Sequence, residues 1–225
     1  MNHRSDAGED EALRPLPRGV LTGLCSHLLS DSLAAVVELN GQLLDALSSS
    51  AQTAREFPLG PKLRARFAAL SALQRRQAAQ SGVLLADVGF SNSDRWRSLV
   101  FDGEHLDRGM YSEWLAVEDA VALTSTVLLV AWHILRVRPS IAGFLLGMPE
   151  STVSAFRQLG VADLTRVARR HPHWVRPRWP DRLDLWNSIL DTDASSQDPA
   201  SVVLRCLKSS AGLSSRLLLS VESTV

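Results

Sequence analysis

Fifteen consecutive residues without a charge, Val121 to Leu135, set the strongest constraint on how this chain can fold. The run contains Thr124, Ser125, Thr126 and His133 and falls short of the roughly 18–20 apolar residues that span a bilayer, so a buried helix is expected and no membrane insertion. Extended from Ser112 to Arg138, the helix would measure about 40 Å at roughly 1.5 Å per residue. Trp114, Val117, Leu123, Val127, Leu128, Val130, Ala131 and Leu135 give it more apolar surface than one stripe needs, which places it at the centre of a bundle or in a subunit interface. Pro139 ends it, because a residue before proline avoids the α region.

Around this helix the spacing of apolar residues is helical almost throughout, and strand signals are nearly absent. The expected fold is all-α: a helical bundle with a central long helix and a helix-turn-helix-like C-terminal half. Residues 1–18 read as a disordered tail, since they are polar and lack the apolar run of a signal peptide. Residues 19–109 form an N-terminal helical region: helices over Leu21–Leu29 and Ser32–Leu47, the second capped by Asp31, a connection from Ser48 to Pro61, and a helix from Lys62 to Gln80. Val83–Phe90 is the one extended segment, and a short helix opens at Asn92 or Ser93. Residues 110–192 form the helical domain that carries the turn described next, and 193–225 a linker and a final helix, Val202–Leu219. No internal repeat is expected.

Within the C-terminal half, residues 140–158 have the spacing of a helix-turn-helix. Gly143 allows a second helix to cross close by, and Gly147 can end the first helix at positive φ without a Cβ clash. Met148 then plugs the turn, Pro149 stands where a missing N–H is harmless, and Glu150, Ser151 and Thr152 suit an opening helical turn. With Val153 and Phe156 inward, Ser151, Thr152, Ser154, Arg157 and Gln158 face solvent and are the candidate base and phosphate contacts. The competing reading is an ordinary corner in a helical core.

The formal net charge is zero, from 24 basic and 24 acidic residues, but the distribution is uneven. From Ala131 to Arg182 nine arginines face three acids, a local net of +6 that leaves −6 for the remainder. Arg166, Arg169, Arg170, Arg176 and Arg178 extend the candidate DNA-binding set, because a guanidinium suits phosphates and guanine edges. The arm His171–Pro180 is expected to cross the surface in extended form, with Trp174 and Trp179 packing it down or meeting a partner. Trp114, Leu128, Trp132, Phe144, Trp174 and Trp179 are the candidate partner interface.

Cys25 and Cys206 stand alone, without zinc spacing or a disulfide framework, as suits a reducing cytoplasm. No phosphate loop, HExxH or GxSxG motif points to an enzyme, and no cofactor is expected. His171 and His173 have no Cys or Asp partner nearby in sequence to complete a metal site, and His133 reads as a core or interface residue.

From Leu128 to Trp179 the chain resembles the FlhD-type flagellar transcriptional regulators. The resemblance rests on Leu128, Leu129 and Ala131, then Phe144, Leu146 and Gly147, then Glu150, Leu159, Leu164, Ala168 and the closing Arg178–Trp179. Leu145 stands where that family has an arginine and Arg138 where it has an acid. The resemblance implies an all-α, dimer-forming, cytoplasmic regulator that binds promoter DNA with a companion subunit and activates transcription. The alternative is a non-enzymatic accessory protein of a bacterial type III secretion or flagellar apparatus; a small-molecule enzyme is third.

Overall fold

The apolar run forms the central helix in the computed structural model, which describes residues 18–101 and 114–191. This helix, α5, spans Val117–Val137 and starts later than expected, because Trp114–Ala116 is not helical. Ala120, Leu123, Thr124, Val127, Leu128, Ala131, Ile134 and Leu135 make its buried stripe. Among the described residues it is the one helix long and apolar enough to cross a membrane. Its buried stripe packs on other helices of the chain.

The other elements are helical apart from one short strand pair. In chain order they are α1 (Arg18–Thr53), α2 (Pro61–Ala68), α3 (Ala72–Ala79), β1 (Ala86–Asp87), α4 (Ser93–Phe101), α5, α6 (Pro139–Leu146), α7 (Glu150–Phe156), α8 (Val161–Arg170), a single 3-10 turn at Pro172–Trp174, β2 (Arg176–Pro177) and α9 (Leu183–Leu190). The fold is all-α in class.

Several boundaries differ from expectation for local reasons. α1 runs straight through the expected break at Asp31, since no Gly or Pro interrupts Ser30–Ser32. The helix expected over Lys62–Gln80 is two. Ser71 starts the second with a capping box, its hydroxyl accepting from the Gln74 N–H while its own N–H donates to the Gln74 side chain. Arg182 is the N-cap of α9. Residues 1–17, 102–113 and 192–225, which include most of the expected tail, the expected boundary at 109–110 and the final helix, lie outside the described residues.

The order of elements recurs in the two halves, although the sequence does not repeat. Helix α1, then α2, α3, β1 and α4 are followed by α5, then α7, α8, β2 and α9, with α6 added in the second half. Burial follows the same rhythm: Val36, Leu39, Asn40, Leu43, Leu44, Leu47, Ser50 and Ala51 of α1 are buried in step with the α5 stripe from Ala120 to Leu135. Phe67 near the end of α2 and Phe156 at the end of α7 are both fully buried. Ser71 N–H donates to Gln74 at the start of α3, and Gly160 N–H donates to Asp163 at the start of α8.

The two halves interlock as two copies of one unit would. β1 pairs with β2 antiparallel, Ala86 opposite Pro177 and Asp87 opposite Arg176, a register that exchanges equivalent positions. Trp96 of α4 meets Phe156 of α7 edge to face at 4.9 Å; Trp186 of α9 meets Phe67 of α2 in the same way at 5.9 Å. Each half therefore seats its last helix on the other half. Both halves contribute to one continuous core, with α1 against α5.

The segment before β1 is held by a buried polar anchor. Asn40 on α1 donates to the carbonyls of Ala79 and Val83 and to Ser81 Oγ, and accepts from Leu85 N–H. At the equivalent place on α5, Thr124 donates to the Pro172 carbonyl at 2.7 Å. These contacts satisfy backbone groups that the non-helical connections would otherwise bury unpaired.

Candidate nucleic-acid interface

The turn around Gly147 has the expected backbone. Gly147 lies at φ 67° as the left-handed C-cap of α6, and Met148 N–H closes the helix end on the Gly143 carbonyl at 2.9 Å. A Cβ at Gly147 would overlap the guanidinium of Arg178, so this position needs a glycine twice over. Pro149 is the N-cap of α7, its carbonyl accepting from Thr152 and Val153. Met148 is buried as the plug.

The helix that follows does not present the expected face. Ser151, Ser154, Arg157 and Gln158 are exposed, but Thr152 is fully buried. The cause is α4, whose Ser93 Oγ lies 2.6 Å from Ser151 Oγ and 3.1 Å from Thr152 Oγ1. α7 packs chiefly on α4, with Phe156 between Trp96 and Phe90. Val153, expected inward, is half-buried.

The arginines divide into two sets. Arg166, Arg169 and Arg170 are exposed on α8; Arg166 pairs with Asp163 at 3.1 Å, whereas Arg169 and Arg170 make no ion pair or hydrogen bond among the described residues. Arg157 at the end of α7 is likewise exposed and without such a partner. Arg176 and Arg178 instead serve the fold. Arg176 meets Asp87 at 3.1 Å across the strand pair, and Asp87 also accepts from Gly89 and Phe90 N–H. Arg178 lies over Gly147 and the Trp179 ring and donates to the Leu84 carbonyl at 3.3 Å, while its N–H donates to Leu85. Burial draws its pKa down to about 10, with Asp87 opposing.

The arm that carries them is therefore not a surface strap. Trp174, Val175 and Pro177 are buried, because β2 and its flanks thread between the halves. The expected interface residues change accordingly. Trp114, Leu128 and Trp174 are core, Trp114 donating its indole N–H to the Val175 carbonyl at 3.2 Å. Trp132, Phe144 and Trp179 are half-buried against the same core; Trp132 donates to the Leu159 carbonyl and carries the Arg136 guanidinium on its ring. His133, expected in a core or interface, is exposed in this chain.

Next to the exposed arginines is a cavity of about 40 Å³ lined by Leu99, Leu159, Asp163, Arg166, Val167, Arg170 and His171. His171 stacks on Trp174 at 4.4 Å, and Arg95 covers the Trp174 ring at 4.5 Å. Burial, then Arg170 and Arg95, lower the His171 pKa to about 4. Its Nε2 is buried without a hydrogen bond among the described residues. No cluster of three or more His, Cys, Asp or Glu side chains that could hold a metal ion occurs among the described residues.

Two features escaped the sequence reading. Ser93 and Arg95 act on residues far along the chain, and only the repeat brings α4 onto α7 and the arm. Lys62 and Arg76, exposed on α2 and α3 without a partner among the described residues, lie outside the basic stretch from Ala131 to Arg182 from which the candidate cations were drawn. No family model matches the sequence, and neither a curated protein nor a solved structure matches it.

Proposed function

We propose that this chain is a non-enzymatic DNA-binding transcriptional regulator whose α7–α8 surface grips the duplex backbone. The observation that carries it is the exposure of Arg157, Arg169 and Arg170 without counter-charges among the described residues, in a fold that uses Arg176 and Arg178 internally. Guanidinium groups left unpaired on a helical surface are suited to phosphate oxygens. With Thr152 buried and Ser151 tied to Ser93, base reading falls to Ser154, Arg157 and Gln158. Affinity then comes mainly from phosphates, and a companion subunit supplies further sequence discrimination. The resemblance to FlhD-type regulators supports the same reading and gives the process as flagellar gene activation.

The test is the salt dependence of duplex binding, followed by fluorescence anisotropy. Log affinity falls against log salt with a slope of about −0.9 per neutralised phosphate, so replacing Arg169 and Arg170 by Ala flattens it by about two. Failure of the pure protein, alone and with a genomic-library partner screen, to retard any duplex ends the proposal.

One observation favours the accessory-protein alternative: α4 of the first half covers the amino-terminal turn of α7, where a recognition helix would enter the groove. A pull-down from native lysate separates the two, since nuclease treatment removes the partners of a promoter complex and leaves those of a protein machine.

A further inference from the structure

The repeat gives each surface outside α6 a counterpart on the other half. The counterpart of α7–α8 is α2–α3, as the matched Phe67 and Phe156 and the matched helix starts at Gln74 and Asp163 establish. Most arginines of α2–α3 are consumed by the fold. Arg64 donates to the carbonyls of Ala51 and Ala54 at the end of α1, Arg66 binds Asn187 and Asp191 of α9, and Arg75 pairs with Asp45. Two cations remain. Lys62 in the first turn of α2 and Arg76 on α3 are exposed and make no ion pair or hydrogen bond among the described residues. Arg55 and Glu56, also exposed on the turn before α2, offset each other.

We infer that α2–α3 is a second backbone-binding face, so that one chain presents to nucleic acid the two related faces that a dimer of identical subunits would present. The inference rests on the reading of α7–α8 as a DNA-binding surface and extends it to the first half. The two faces are not copies in their charges: Ala68, Gln77 and Gln80 occupy the positions of Arg157, Arg166 and Arg169, while Arg76 stands where α8 has Thr165 and Lys62 where α7 has Ser151. Each face keeps unpaired cations at different points of the same surface. Such an arrangement fits a duplex held at two segments of its backbone, the two sets of donors meeting the phosphates at different registers.

The experiment compares three variants of the full chain on one fluorescent duplex: Lys62→Ala with Arg76→Ala, Arg169→Ala with Arg170→Ala, and all four together. All four positions are exposed, and circular dichroism melts check that each variant keeps the native fold. The expected result is a salt slope flattened by about two in each double variant and by about four in the quadruple. An unchanged slope for the first-half variant, beside a flattened slope for the second-half variant, overturns the second face and leaves the first intact. If the unmodified chain binds no duplex, salt elution from heparin resin gives a separate reading: earlier elution of both double variants supports two polyanion faces while the DNA reading fails. Earlier elution of the second-half variant alone, or no retention at all, overturns the inference.

Discussion

Replacing Gly147 by Ala perturbs two features at one atom. The left-handed backbone at φ 67° costs a residue with a Cβ about 1–2 kcal/mol. The new methyl also occupies the space of the Arg178 guanidinium, which must leave its place over the turn and give up the Leu84 carbonyl. A hydrogen bond to a charged group contributes about 1.5–3 kcal/mol. The sum for Gly147→Ala is a loss of about 2.5–5 kcal/mol, measured by urea unfolding with tryptophan fluorescence. Two comparisons isolate the parts. In an Arg178→Ala background only the backbone cost of about 1–2 kcal/mol remains, and Gly60→Ala, at φ 75° with open space around it, costs about the same. An equal cost of Gly147→Ala with and without Arg178 would refute the reasoning, because the guanidinium would then have no share in the requirement for glycine.

Asn40→Ala removes the anchor of four groups at once and is expected to destabilise the chain by about 3–5 kcal/mol, whereas Thr124→Val at the equivalent place on α5 loses one bond and about 1–2 kcal/mol; chemical denaturation measures both. His171 binds its proton less readily folded, at about 4, than unfolded, near 6.5, so the unfolded chain takes up the extra proton between these values. Stability contributed by this residue is therefore complete above pH 6.5 and falls as the pH drops toward 4. In His171→Gln the stability–pH curve loses that component, and an identical curve for both proteins would count against the burial described.

Helix content, the place of the long apolar helix and the glycine turn were all legible in the sequence, because each depends on local chemistry. Apolar spacing marks a helix face, Pro139 marks its limit, and a left-handed cap selects glycine. The repeat was not legible, since what it preserves is burial at matched positions more than side-chain identity. Asn40 answers Thr124, Leu47 answers Ala131, and α6 with the differing connections shifts the register between the halves. The candidate site suffered from the same blindness. Nothing near Thr152 in sequence announces Ser93, and Arg178 cannot be told from Arg169 until the arm is seen between the halves.

The strand pair at the junction of the halves has a genetic consequence. When two identical chains meet about an axis, a residue change is made twice, and both rungs of a two-residue ladder alter together. Here the rungs are encoded separately: Asp87 faces Arg176 in an ion pair, while Ala86 faces Pro177, which has no N–H to donate. A single codon can therefore alter one side of the junction and spare the other, and that freedom lets an ion pair form on one rung alone.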